Sequence, residues 1–250
     1  MQKEFKTFLA QIHPALLKTV VKILGGIMTD IANLHITSKG ITITAIDMAN
    51  VAMIRIQLEK TVFEKFEATE FEICIDMERL KKIVNLVEAD DSITMKFDSR
   101  DNQFIINLDN LETRMGLVDL NETLTAPPTI LNSSGHIVLH VNDIKRSITA
   151  AENITDTVIL SIDPEKFEIK AEKNMDLVHL TLSKENLIEH NSETHHKNSY
   201  STNYLSNIIS CLNGENCIRL RFGNETQLQL DYNFSESGGH LIYVLLPRLE

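Results

Sequence analysis

The chain has 250 residues, a net charge of −11 and an apolar fraction of 43%. Those values sit near the globular average and exclude wholesale disorder; no apolar run reaches the roughly 18–20 residues of a membrane span, and no signal-peptide pattern opens the chain. The expectation is a soluble, intracellular protein whose acidity works against general nucleic-acid binding, because phosphate neutralisation needs Lys and Arg.

The first amphipathic stretch runs from about Pro14 to Met28, with Leu16, Leu17, Val20, Leu24 and Ile27 on one face. Pro14 suits a helix first turn, and Gly25-Gly26 weaken the last. Residues 41–45 and 51–58 then alternate as strands. Asp76 is a good N-cap for a second helix that buries Met77, Leu80, Ile83, Val84 and Val87. Glu88, Asp90 and Asp91 follow it as a solvated acidic turn, and 93–97 alternates again. Residues 121–135 are polar around Pro127-Pro128 and read as an extended connector. A third helix begins at Asn142 or Asp143 and carries Ile144, Ile148 and Ala151. Residues 185–198 are polar and His-rich, which predicts a mobile surface loop. The fourth helix follows Ser201-Thr202 with Leu205, Ile208, Ile209 and Leu212, and 228–232 is a further strand.

The order of these elements repeats. Strand–helix–strand at 71–97 corresponds to 198–222, and strand–turn–strand at 34–58 to 158–182. The expected class is therefore α+β, with two similar domains at 1–120 and 136–250 joined by the connector at 121–135. In each, helices cover one face of antiparallel sheet.

Charge is unevenly placed along this repeat. The first helix carries Lys18 and Lys22 without an acid; the second carries Arg79, Lys81 and Lys82 against Glu78; the third carries Lys145 and Arg146 against Asp143. The fourth has neither sign within 203–212. The helices thus hold about +5 in a chain of −11. Lysines on one exposed helix are ordinary solvated surface. Agreement among three helices of an acidic chain points instead to a basic layer for loose, sequence-independent phosphate contact. No stacking platform or recognition motif supports base readout.

No phosphate loop, nucleotide-binding glycine fingerprint or nucleophile elbow is present. His190, His195 and His196 lack metal-ligand spacing. Cys74, Cys211 and Cys217 are an odd set that reads as reduced thiols, the last two in or near the core. The expectation is no catalysis, no cofactor and no metal.

Several strings resemble the proliferating cell nuclear antigen (PCNA) family of DNA sliding clamps. They are Ala-Ile-Asp-Met-Ala-Asn-Val-Ala-Met-Ile (45–54), Ile-Asp-Met-Glu-Arg-Leu-Lys-Lys-Ile-Val (75–84) and Tyr-Ser-Thr-Asn-Tyr-Leu (200–205). Phe-Gly-Asn-Glu (222–225) and the ending Leu-Leu-Pro-Arg-Leu-Glu (245–250) are similar to archaeal members in particular. The resemblance spans the chain in order. It implies a closed trimeric ring with helices lining the hole and sheets outside, encircling duplex DNA as a polymerase processivity factor. A subunit of a heterotrimeric ring is the nearby alternative. Lys18, Lys22, Arg79, Lys82, Lys145 and Arg146 would face the duplex. Leu111, Met115 and Leu117 would meet Met175, Leu177 and Leu180 of the next subunit. A partner-peptide pocket would be walled by Ile46, Asn50, Val51, Met53, Val244, Leu246 and Pro247, with Pro128 and Ile130 from the connector. Implied partners are the clamp loader, DNA polymerase, flap endonuclease and DNA ligase. The implied location is with the DNA: cytoplasm or nucleoid if archaeal, nucleus if eukaryotic or viral.

The chain also departs from the family pattern. Met48-Ala49-Asn50 stands where serine or proline with a basic residue is common, Leu246 replaces a usual alanine, and Gln227 a frequent proline. The larger Leu246 implies a reshaped pocket and altered partner preference. The connector has only Glu122 in place of several acids, and the fourth helix lacks a basic residue, which implies a weaker lining in the second domain.

Overall fold

The computed structural model describes residues 6–119 and 135–248. Among these, the chain forms two series of elements in one order. The first is β1 (Phe8–Ile12), α1 (Pro14–Leu24), β2 (Ile31–Thr37), β3 (Gly40–Ile46), β4 (Ala52–Glu59), β5 (Lys65–Ala68), β6 (Phe71–Asp76), α2 (Met77–Val84), β7 (Ile93–Asp98), β8 (Gln103–Leu108) and β9 (Leu111–Gly116). The second is β10 (Gly135–His140), α3 (Val141–Glu152), β11 (Thr157–Ile162), β12 (Lys166–Lys173), β13 (Asp176–Ser183), β14 (Glu189–Asn191), β15 (His196–Ser201), α4 (Thr202–Cys211), β16 (Cys217–Phe222), β17 (Leu228–Ser235) and β18 (Gly239–Leu245). A single 3-10 turn sits at the same place in each, Lys60–Val62 and Lys184–Asn186.

The chain divides into two compact units. One holds Met1–Met48, Ile54–Ala126 and Ser235–His240; the other holds Ala49–Met53, Pro127–Phe234 and Leu241–Glu250. The units are therefore not two uninterrupted halves: 49–53 and 235–240 each group with the unit whose main body lies elsewhere in the sequence. The connector proposed at 121–135 lies outside the described residues, except Gly135, which begins β10.

In the first unit β5-β1-β7-β8-β9 form a sheet and β4-β3-β2-β6 run side by side. In the second, β14-β10-β16-β17-β18 and β13-β12-β11-β15 repeat that order strand for strand. Pairings are antiparallel. Two alternating patterns show why the sheets have one dry face: β7 alternates buried Ile93, Met95 and Phe97 with half-buried partners, and β11 does the same with Val158, Leu160 and Ile162. The dry faces receive the helices. In the second unit Ile144 and Ile148 of α3 and Leu205 and Ile209 of α4 converge on Leu160, Phe167 and Leu220. The void left there is about 10 Å³, no more than a single water would need.

Helix ends follow their capping chemistry. The Asp76 carboxylate accepts the Arg79 N–H at 2.9 Å, as its N-cap position predicts. α1 stops at Leu24, with Gly25 as its C-cap, and so is shorter than the 14–28 expectation. Ile27 is buried beyond the helix end, which is why apolar spacing overextended it. α3 begins at Val141, earlier than Asn142 or Asp143, because Asp143 is the third helical residue and accepts the His140 N–H at 2.9 Å. The Val141 and Asn142 amides donate to the carbonyls of Asn216 and Gly214, at 3.1 and 3.0 Å. A Cβ at Gly214 would fall 1.9 Å from Asn142 Oδ1, so a larger residue there would displace the Asn142 side chain.

Two further expectations are corrected. Residues 185–198 are not a loop, since they contain β14 and the start of β15, and His196 is 7% exposed opposite Ile162. Cys217 is exposed rather than near-core, with Cys211 intermediate; only Cys74 is buried.

After the last strand of each series the chain turns back beside an equivalent strand. The Val118 N–H donates to the Cys74 carbonyl of β6 at 3.0 Å, and the Arg248 N–H to the Ser199 carbonyl of β15 at 2.8 Å. Both tails cover a sheet edge that would otherwise be open.

Candidate DNA-facing helices and partner surface

The cations singled out in the sequence occupy the solvent side of the helix layer. Lys18, Lys22, Arg79, Lys82 and Arg146 are exposed and Lys145 is half-buried, opposite the buried rows of α1, α2 and α3. Lys82 pairs with Glu78 one turn away at 2.7 Å, and Arg79 lies 3.6 Å from Asp76. Lys18, Lys22, Lys81, Lys145 and Arg146 have no ion-pair partner among the described residues. Long cationic side chains without a local acid keep their full charge for a ligand. In the first unit α1 and α2 pack against each other, with the Lys81 stem 3.8 Å from where a Cβ on Gly25 would stand. In the second α3 packs on α4, whose solvent side is Asn203, Asn207 and Ser210. α4 has no charged residue, as expected.

α3 carries a residue that apolar spacing overlooks. Glu152 lies beyond the stripe Ile144–Ile148–Ala151 but is still helical, the last residue of α3. Its carboxylate accepts the Ser206 hydroxyl of α4. This acid lowers the helix charge counted from sequence.

Strand β9 ends its sheet and pairs only with β8 among the described residues; β13 ends its own and pairs only with β12. The row of β9 that faces the helices is Leu111, Thr113 and Met115, opposite Leu108, Ile106 and Phe104. Leu111 is 50% exposed, Leu117 half-buried and Met115 2% exposed. Met115 is thus a core side chain of its own unit, and only its backbone is available to a neighbour. On β13 the helix-facing row is Val178, Leu180 and Leu182, opposite Ala171, Ile169 and Phe167. Those three β12 residues are fully buried, whereas the β13 row is only half-covered. Leu177 projects to the opposite face, opposite Glu172, and Met175 is fully exposed at the turn after Asn174. Of the residues expected at an interface, Leu180 lies in this half-covered row, together with Val178 and Leu182. The outer face of this edge is polar, with His179 and Thr181 against Glu168 at 3.0 and 3.2 Å.

The peptide pocket is expected at the segments around 46–53 and 244–247. The Leu246 N–H donates to the Val51 carbonyl at 2.9 Å, which joins two of the chain segments expected to wall it. Val51, Leu246 and Pro247 are half-buried, and Asn50 is exposed with φ 57°. Ile46, half-buried at the end of β3, belongs to the other unit. Met53 and Val244 are corrected: both are fully buried and offer no side-chain surface. Ala52, Met53 and Ile54 are buried in succession, as are Tyr243, Val244 and Leu245, which strand alternation permits only where both faces are covered. Pro128 and Ile130 lie outside the described residues. Beyond Pro247, Arg248 anchors the tail through Nη1 to Asp156 Oδ2 and Thr157 Oγ1, both at 2.7 Å. That guanidinium holds the Asp156 carboxyl below the usual carboxylate range. Gln227 is buried. Tyr200, from the string at 200–205, is fully buried and donates to the Thr226 carbonyl at 3.0 Å; burial pushes its phenol up.

Among the described residues no group of three or more His, Cys, Asp and Glu is placed to hold a metal ion. His190 is half-buried beside β10, His195 exposed and His196 buried. Glu88 and Asp90 are exposed, and Asp91 accepts the Glu88 N–H at 2.7 Å in a local turn.

Residues 8–122 match the family model described as proliferating cell nuclear antigen, N-terminal domain. The DNA polymerase sliding clamp of Methanococcoides burtonii is 31% identical over 245 residues, covering 97% of this chain and 99% of that protein. The structure of the C-terminal region of FEN-1 bound to A. fulgidus PCNA is similar at a TM-score of 0.88 and 25% identity, over 97% of this chain and 99% of that one. PCNA from Thermococcus kodakaraensis gives a TM-score of 0.87 at 24% identity, over 97% and 100%.

Proposed function

The chain belongs to the proliferating cell nuclear antigen family of DNA sliding clamps, and from that premise we propose that three copies close into a ring around duplex DNA and tether replication and repair enzymes to it. It is a DNA polymerase processivity factor. The observation that carries the ring reading is the layer of exposed cations, several without any ion-pair partner among the described residues, on helices of a chain whose net charge is −11. A closed ring stays on DNA by topology, so its phosphate contacts need only be loose and sequence-independent. Lys18, Lys22, Arg79, Lys82, Lys145 and Arg146 are the contacts proposed.

Closure would join β9 of one copy to β13 of the next. This reading is supported by the half-covered row Val178, Leu180 and Leu182, and by Leu111 standing half-exposed on a helix-facing row. Backbone pairing of the two edges would also remove an aggregation hazard. Partner enzymes would dock a short peptide against Asn50, Val51, Leu246 and Pro247, an apolar anchor with main-chain pairing alongside. Clamp loader, polymerase, flap endonuclease and ligase are the proposed partners; a FEN-1 segment bound to A. fulgidus PCNA supports this for the endonuclease. The ring acts where the DNA is and performs no chemistry of its own. Multi-angle light scattering on the purified chain tests the assembly: three times the chain mass is expected, and a stable monomer contradicts a homotrimer.

A further inference from the structure

We propose that Glu152 weakens the clamp's grip on duplex DNA, acting as a fixed negative charge within the phosphate-facing helix layer. The inference rests on the reading that these helices face the duplex. Lys145, Thr149 and Glu152 are spaced i, i+4, i+7 on α3, so Glu152 returns to within about 20° of Lys145 around the helix and about 10 Å along it. Whatever Lys145 faces, Glu152 faces also. That separation is about one Debye length at 0.1 M salt, so a phosphate meeting Lys145 also senses the acid.

The other acids of the helix layer are compensated. Glu78 is ion-paired with Lys82 at 2.7 Å. Asp143 sits in the first turn of α3 and accepts the His140 N–H, where the helix dipole favours a negative charge. Glu152 stands at the opposite end of α3, where the dipole is unfavourable, and the last turn contains no basic residue. Its partner is a hydroxyl, Ser206, which holds the carboxylate without neutralising it. Ser206 also draws it towards α4, which has no cation to offset it. An acid placed against the helix dipole, fixed in position and left with its charge, serves the ligand rather than the fold. Here the effect is repulsion of phosphate, which leaves a closed ring free to move.

The test measures binding of the full-length chain to a fluorescein-labelled 30-base-pair duplex by anisotropy, across a salt series. Glu152→Gln should bind about three-fold or more tightly at low salt, with the gain shrinking as salt screens it. Glu152→Asp, which keeps the charge, should match the unmodified chain. A Lys18→Ala/Lys22→Ala variant serves as reference and should bind more weakly. If the lysine variant weakens binding while Glu152→Gln is unchanged, Glu152 has no such role and the helix reading stands. If neither variant alters binding, the helices do not face DNA and the inference falls with that reading. Equal gains for Gln and Asp would also overturn it, because the effect would not be one of charge.

Discussion

Arg248 and Asp156 form the contact on which the C-terminal tail depends, and the tail in turn places Leu246 and Pro247. The Asp156 carboxyl titrates below its ordinary value because the Arg248 guanidinium is beside it. A depressed folded-state value means the contact stabilises the tail above the unfolded carboxylate pKa of about 3.9, and is lost as pH falls through the lower folded value. Hydrogen-exchange protection of the Arg248 amide should therefore hold from pH 7 to pH 5, and Asp156→Asn should reduce it at pH 7. Equal protection in the variant contradicts the anchoring. Burial sets a second test. Met115 is 2% exposed on a strand otherwise open to solvent. Met115→Ala should cost about 2–5 kcal/mol in urea unfolding through the cavity it leaves. A cost below about 0.5 kcal/mol would place its side chain at the surface instead. Residue-level roles were the least legible in the sequence. The family resemblance places Met53 and Val244 on a pocket wall, whereas both side chains are buried in strands covered on both faces. Glu152 was overlooked because it follows the last apolar position of its helix.

At the scale of elements, helices were legible where capping and apolar spacing agree. Asp76 opens α2 as its residue type predicts. The end of α1 was misjudged because Ile27 continues the apolar spacing after Gly25 has closed the helix. β14 could not be read from hydropathy, since a polar strand such as Glu189–Asn191 looks like loop until its pairing is known, and β15 is legible only from 198 on. Register also decides which side of β13 each residue faces: Leu177 stands opposite Glu172, and Val178 and Leu182 stand in the half-covered row. The open row on β13 yields a prediction at this scale. Val178→Lys/Leu180→Lys should reduce the oligomer to monomer, with strand content by circular dichroism unchanged. A full-size oligomer in the variant would remove β13 from the interface.

The whole molecule repeats one arrangement of strands and helices with almost no repeated residues, and that order was visible in the sequence because pattern, rather than identity, specifies the elements. The same repetition does not extend to charge. The helices of the first unit hold five cations against Glu78, whereas those of the second hold Lys145 and Arg146 against Asp143 and Glu152. The first unit is therefore the stronger attractor for a polyanion. The decisive property is encirclement, which contact strength alone does not report. The most direct measurement is to load the chain with clamp loader and ATP onto a nicked circular plasmid, isolate the complex by gel filtration at high salt, and cut the circle once. Encirclement predicts that the protein elutes with the circle and leaves when the DNA becomes linear; equal retention on circular and linear DNA would contradict it.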